Sequence, residues 1–108
     1  MTSTPRIREL NDRFRQSFIG GRVLATIGIR DSGEAFMSAA LEAVQRFDAF
    51  TSDNDPHNEH DFGSIVVNGQ KVFWKIDYYS ADMTSGSPDP SDPNETCRVL
   101  TIMLAREY

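Results

Sequence analysis

The stretch that decides the fold is FGSIVVNGQKVFWKIDYY, residues 62–79. Asn68 and Gly69 lie at its centre, between two runs rich in β-branched and aromatic residues. Both central residues of a type I′ turn need positive φ, and Asn-Gly adopts that conformation with little strain. The pattern therefore predicts a β-hairpin that places Ile65 opposite Val72.

The alternation of residue types along this hairpin predicts two different faces. Successive side chains of a strand point to opposite sides of the sheet. One side collects Ile65, Val67, Val72, Trp74, Ile76 and Tyr78, and we expect it to form part of the core. The other side collects Phe62, Ser64, Val66, Phe73, Lys75, Asp77 and Tyr79, so that its character is mixed.

The chain after the hairpin predicts a long loop and a last strand. Residues 80–95 contain three prolines, one glycine, four serines and four acids, a composition typical of an exposed loop. The following residues are apolar at nearly every position from Val99 to Leu104. Such a strand is usually covered on both faces, which places it centrally in the sheet.

The N-terminal residues predict an amphipathic helix. Thr4 and Pro5 suit a helix start, and Gly20-Gly21 suits its end. The apolar positions follow a helical spacing that places them on one face: Ile7, Leu10, Phe14 and Phe18. The arginines are expected on the solvent side: Arg6, Arg8, Arg13 and Arg15.

A strand and a second helix are predicted next. Residues 22–29 are rich in β-branched residues and set Val23, Ala25, Ile27 and Ile29 on one face of a strand. Asp31 or Ser32 is the expected cap of a helix that runs to about Asp48. The predicted buried stripe of that helix is Phe36, Ala40, Ala43, Val44 and Phe47.

The resulting order of elements is helix, strand, helix, strand, strand, strand. It predicts an α+β fold in which two helices pack on a mostly antiparallel four-stranded sheet. The length of 108 residues suits a single domain, residues 1–108. Cys97, the only cysteine, is expected to be a buried structural thiol, and the sequence shows no signal peptide or apolar span. We therefore expect a cytoplasmic protein.

The charge is unevenly distributed along the chain. The net charge of −5 divides into +2 for residues 1–47 and −7 for residues 48–108. Ten of the sixteen acids lie in residues 48–61 and 77–95, two segments that contain no lysine and no arginine. A field of this sign repels nucleic acid and attracts a basic protein surface.

The segment DNDPHNEHDFG, residues 53–63, holds both histidines beside four carboxylates. Imidazole and carboxylate are metal-ligand types, so His57, Glu59 and His60, with Asp61 nearby, form a candidate site for zinc or another divalent ion. The spacing is not that of a helical HExxH motif, and the calcium-loop pattern fails at Asn58 and Ser64. Turn formation is the alternative explanation of these residues. No cofactor is predicted.

Several stretches together resemble a known family: RIRELNDRFR (6–15), FTSDNDPHNEHDFG (50–63), FWKIDYY (73–79), GSPDPSDP (86–93) and RVLTIMLAREY (98–108). They are similar to a family of small bacterial proteins of unknown function, found largely on plasmids, phages and other mobile elements. The resemblance implies a stand-alone cytoplasmic domain and brings no catalytic residues. In that setting, small acidic proteins often act against host defence.

These observations favour a non-enzymatic inhibitor, of which an anti-CRISPR protein is the concrete form. Its acidic surface would block the basic surface of a nucleic-acid-binding complex such as a Cas effector, without binding nucleic acid or membrane itself. The predicted contact residues are Asp53, Asp55, Glu59, Asp61, Asp82, Asp89, Asp92 and Glu95. The alternatives are a metal-dependent enzyme or sensor using the His57 loop, and a regulatory homodimer formed through a strand edge or the face bearing Phe73 and Tyr79.

Overall fold

The computed structural model describes residues 3–108 of the chain. Its α-helices are α1 (Thr4–Ser17), α2 (Ile27–Asp31) and α3 (Glu34–Gln45). Its strands are β1 (Gly21–Ala25), β2 (Phe62–Val67), β3 (Gln70–Ser80) and β4 (Thr96–Leu104), followed by a 3-10 turn at Ala105–Glu107. The α+β prediction is confirmed, with one additional short helix.

The four strands form one sheet in the order β1-β4-β3-β2. The β2–β3 hairpin turns at Asn68-Gly69 and pairs Ile65 with Val72, as predicted. β3 and β4 are antiparallel, whereas β1 and β4 are parallel, so the sheet is mixed and mostly antiparallel. β4 lies inside the sheet, which confirms the interpretation of its continuous apolar run.

The core lies between the helices and one face of the sheet. Phe14 of α1, Ile29 of α2 and Val44 of α3 pack with Trp74 and Leu100 of the two central strands. All five side chains are at most 1% exposed. Burying a side chain of this size contributes about 1.5–3 kcal/mol, so this layer fixes the position of the helices on the sheet. Within residues 3–108, no helix is long and apolar enough to cross a membrane.

The predicted strand over residues 22–29 is wrong beyond Ala25. The chain leaves the sheet there and forms α2, in which Ile29 is buried and Ile27 is 65% exposed. The carboxylate of Glu107 accepts hydrogen bonds from Thr26 Oγ1 at 2.6 Å and from the Gly28 amide at 2.9 Å. These bonds satisfy donors at the start of α2, and they come from a residue too distant in sequence for a local pattern to indicate.

The boundaries of the other helices also differ from the prediction. α1 ends at Ser17, because Phe18 adopts the left-handed conformation (φ 60°) and its amide bonds to the Phe14 carbonyl. The sequence predicts the end of this helix at Gly20-Gly21, two residues after Phe18. α3 begins at Glu34 after Gly33 and ends at Gln45, short of Asp48.

Two side chains depart from their expected exposure. Arg15 was predicted to face solvent, but it is 2% exposed, and its guanidinium carbon lies 5.2 Å from the Phe50 ring centre and 5.6 Å from that of Trp74. Aromatic faces attract the cation and replace part of its lost hydration. Cys97 is a free thiol on β4 and is only partly buried.

Candidate functional site

Both acidic segments emerge from the same end of the sheet. Residues 48–61, the first acidic loop, lead into β2, and residues 81–95, the second acidic loop, join β3 to β4. In the antiparallel hairpin, β2 begins on the side where β3 ends, and Ser80 pairs with Thr96 at that side. We call the two loops together the acidic end of the protein.

A buried polar network ties both loops to the helical layer. Asn11 of α1 is fully buried, and its Nδ2 donates to the Glu59 carbonyl at 3.0 Å and to the Tyr78 hydroxyl at 2.8 Å. Its Oδ1 accepts a hydrogen bond from Arg98 Nε at 2.7 Å. The side-chain amide of Asn11 thus forms hydrogen bonds through both its Nδ2 donor group and its Oδ1 acceptor. These bonds replace those that the buried amide has lost to water.

Tyr78 and Arg98 extend this network into the two loops. The Tyr78 hydroxyl donates to Glu59 Oε1 at 2.7 Å, and burial together with that bond raises the pKa of Tyr78, which keeps the proton on the phenol. Arg98 Nη2 donates to the Pro90 carbonyl of the second acidic loop. The guanidinium is 3% exposed and lies over the Tyr78 ring, and burial lowers its pKa.

His60 anchors the first acidic loop against α1. Its Nδ1 lies 2.8 Å from Asp12 Oδ1, and its Nε2 lies 3.6 Å from Asp55 Oδ2. The imidazole stacks on Phe50 with ring centres 3.7 Å apart and planes within 1° of parallel. Asp12 also binds Arg15 Nη1 at 2.8 Å. The loop conformation is therefore fixed by both polar and aromatic contacts.

The expectation that Asp55 belongs to an exposed acidic surface is wrong. This residue is 6% exposed, and its Oδ1 accepts the backbone amides of Glu59 and His60, each at 3.1 Å. Two amide donors and the nearby imidazole compensate the carboxylate for its lost hydration. Asp55 shapes the turn over residues 55–60 and is not available to a partner.

The aspartates of the second acidic loop cap its turns with one oxygen each. Asp82 Oδ1 accepts Ser80 Oγ at 2.7 Å, Thr84 Oγ1 at 2.7 Å and the Thr84 amide at 3.1 Å. The hydrogen bonds from Ser80 and Thr84 lower the pKa of Asp82 to about 2. Asp89 and Asp92 cap their own turns in the same way. Among the described residues, Oδ2 of these three aspartates makes no hydrogen bond, so each also presents a free oxygen.

The predicted contact residues therefore fall into three groups by exposure. Asp53, Asp82, Asp89 and Glu95 are exposed, Glu59, Asp61 and Asp92 are partly buried, and Asp55 is buried. Burial and the neighbouring charge of Glu59 raise the pKa of Asp61. In residues 3–108, none of the ion pairs involves any of these residues except Asp55.

The proposed metal ligands do not come together. His57 is exposed, the Glu59 side chain accepts the Tyr78 hydroxyl, and His60 lies between Asp12 and Asp55. Within the described part of the chain, no group of three or more His, Cys, Asp or Glu side chains is arranged to hold a metal ion. The metal hypothesis thus lacks a ligand set in residues 3–108.

Sequence reasoning missed the residues that build the network, although one signal was present. Asn11 lies four residues after Ile7 and three before Phe14, so it occupies the buried stripe of α1. A polar residue at such a position predicts a buried hydrogen-bonding partner. No local pattern indicates that the partners would be Arg98 and Tyr78, since they lie 87 and 67 residues away.

Comparison with known proteins gives a family for the chain. A family model described as a protein of unknown function (DUF3768) matches residues 25–107, and the chain belongs to that family. No curated protein and no solved structure matches the chain. The family assigns no reaction, ligand or residue role.

Proposed function

We propose that this protein is a non-enzymatic binding protein whose acidic end docks on the basic, nucleic-acid-binding surface of a partner protein. The observation that carries the proposal is the emergence of both acidic loops from one end of the sheet, with Asp53, Asp82, Asp89 and Glu95 exposed there. Carboxylates accept hydrogen bonds from arginine and lysine as phosphates do. They would therefore compete with DNA or RNA for the same cations.

The electrostatic state of the acidic end supports this proposal. Two arginines that contact the loops bind backbone carbonyls: Arg8 Nη1 donates to the Asn58 carbonyl at 3.1 Å, and Arg98 donates to that of Pro90. These cations attach the loops to the fold, while the exposed carboxylates form no ion pair within residues 3–108. A preorganised acidic surface binds a basic partner with a smaller loss of loop entropy.

The partner we propose is a host-defence complex, with a CRISPR effector as the concrete candidate. This finer proposal rests on the acidic surface and on the mobile-element setting that the sequence resemblance implies. Under it, the protein would be a cytoplasmic inhibitor encoded by a mobile element. A CRISPR effector suits the chemistry because its nucleic-acid channel is lined by positive charge.

The test is DNA binding and cleavage by a guide-loaded Cas effector with and without the protein. We expect inhibition that weakens as salt rises, because exposed charges are screened. The variant Asp53→Lys, Asp82→Lys, Asp89→Lys, Glu95→Lys should lose it. A charge-matched variant, Glu9→Lys, Asp31→Lys, Glu34→Lys, Glu42→Lys, changes four exposed acids of the three helices and should inhibit normally.

Circular dichroism of both variants would test whether they are folded. Full inhibition by the fourfold variant would overturn docking through the acidic end. Loss of inhibition in the charge-matched helix control as well would show that overall charge, rather than this surface, is responsible. Absence of inhibition by the wild-type protein would overturn the choice of a CRISPR effector as partner.

A further inference from the structure

The sheet has a second face that the helices do not cover. The core residues of α1, α2 and α3 pack against the opposite face, through side chains such as Trp74 and Leu100. Strand alternation directs Leu24, Val66, Phe73, Lys75, Asp77 and Tyr79 to the other side, which we call the outer face.

The outer face combines exposed apolar side chains with polar ones, among them Arg22, Ser64 and Lys71. Of the seven large hydrophobic residues exposed among residues 3–108, four lie on it: Leu24 (53%), Val66 (70%), Tyr79 (36%) and Tyr108 (75%). Tyr108 is placed there by its ring, whose centre is 5.3 Å from that of Phe73. Exposed apolar patches of this kind mark contact surfaces.

Opposite charges lie side by side within this apolar face. Lys75 and Asp77 are two residues apart on β3, and Lys75 Nζ lies 3.2 Å from Asp77 Oδ2. Their side chains are 41% and 39% exposed, so they can also reach an external group. Consider a two-fold axis that runs perpendicular to the strands, along the outer face, and passes between Lys75 and Asp77. It would place Lys75 of each copy opposite Asp77 of the other copy.

We propose that the outer face is a homodimer interface with this two-fold axis. The same operation places Phe73 opposite the second copy's Tyr79, because both are two residues from the Lys75–Asp77 pair. It also brings Lys71, at the hairpin end of β3, toward the second copy's acidic end. Aromatic residues thus face aromatic residues, and cations face anions.

The charge distribution selects this axis over the alternative. A two-fold axis parallel to the strands would place the acidic ends of both copies beside each other, where like charges repel. The axis across the strands separates the acidic ends to opposite extremes of the dimer. The acidic ends would then remain accessible to a partner. The proposed dimer and the proposed function are therefore independent of each other.

The available area predicts a dimer of modest affinity. The four strands, with a rise of about 3.3 Å per residue and a spacing of about 4.8 Å, give a face of roughly 500 Å² per copy. Specific interfaces bury about 800 Å² per partner, so this face has the size of a weak, transient interface. We therefore expect a reversible equilibrium between monomer and dimer.

Sedimentation equilibrium of the full chain, from low micromolar to several hundred micromolar, tests this proposal. The wild-type protein should shift toward dimer as its concentration rises. Phe73→Glu should weaken association by at least about tenfold, since it buries a charge opposite an aromatic side chain. Ile19→Glu is the matched control: Ile19 is 79% exposed outside the sheet, and this variant should associate normally.

Charge exchange gives an independent readout that does not rely on the Phe73 variant folding. Lys75→Asp creates an acidic pair and Asp77→Lys a basic pair, so each variant alone should remain monomeric. Their equimolar mixture should form a heterodimer, because each copy supplies the charge that the other lacks. A monomeric wild-type protein, undiminished association of Phe73→Glu, or a mixture no more associated than its components would each overturn the interface.

Discussion

Replacement of Asn11 by alanine tests whether the buried polar network holds the acidic end in place. The side chain makes three hydrogen bonds, one of them with the Arg98 guanidinium, at 0% exposure. Each bond contributes about 1 kcal/mol net, and a buried donor left without a partner costs a further 1–3 kcal/mol or so. We expect Asn11→Ala to lower the free energy of unfolding by about 3–5 kcal/mol, a large share of the stability of a domain.

Urea unfolding followed by circular dichroism measures this effect. With a denaturant slope of about 1.5 kcal/mol/M, the transition midpoint should fall by about 2–3 M. Asn94→Ala, an exposed asparagine of the second acidic loop, is the control and should change stability by less than about 0.5 kcal/mol. A double-mutant cycle with Arg98→Met should show a coupling of about 1–3 kcal/mol. A loss below about 1 kcal/mol, or additivity with Arg98→Met, would refute the reasoning.

Two further substitutions test other parts of the structure. Burial raises the pKa of Asp61, so folding favours the protonated carboxyl. The contribution of this group to the free energy of unfolding is fully present below its unfolded-state pKa of about 3.9 and is lost as the pH rises through its higher folded-state pKa. Asp61→Asn should therefore melt above the wild type at pH 7 and together with it below about pH 4; a constant difference at both would contradict this. Gly63→Ala should cost about 1–3 kcal/mol in urea unfolding, because the new Cβ would clash with Nε1 of the buried Trp74. Gly86→Ala, with nothing within 4 Å, is its control, and equal effects of the two would show that the crowding is relieved.

The hairpin and the central strand could be predicted because their signals are local. Asn68-Gly69 determines its own turn geometry, and the register of β2 and β3 follows from that turn. The apolar run of β4 predicts an interior strand, and in the sheet β4 is buried on both sides, through Leu100 and Ile102 on the core face and Val99 and Met103 on the other. In each case the residues that decide the structure are neighbours in sequence.

The additional helix and the burial of Arg15 could not be predicted, because both depend on distant residues. α2 interrupts an apparently continuous strand pattern where Glu107, from the other end of the chain, binds Thr26 and the Gly28 amide. Arg15 belongs to a basic helix face by spacing, yet Phe50 of the first acidic loop covers it. Contacts of this range follow from the assembled fold and leave no periodic signal.

The site was predicted in its residue types but not in how those residues are used. The amino-acid composition identified two acidic loops. The structure shows that some of their carboxylates accept hydrogen bonds within the fold, whereas others are exposed to solvent. Asp55 and Glu59 satisfy donors within the fold, while Asp53 and Glu95 face solvent. Acid content alone cannot separate these tasks, because a turn-forming aspartate and a partner-binding aspartate have the same sequence signature.

This difference between buried and exposed carboxylates explains how the acidic end can be both ordered and strongly charged. Like charges on two loops repel each other, and cations that pair with the exposed carboxylates would relieve this repulsion only by cancelling the surface charge. Arg8 and Arg98 avoid this conflict by donating to the carbonyls of Asn58 and Pro90. Arg98 is buried beneath the surface. Its guanidinium therefore binds the second acidic loop without adding a positive charge to the exposed surface. The same arrangement that stabilises the loops therefore leaves their exposed carboxylates available to a basic partner.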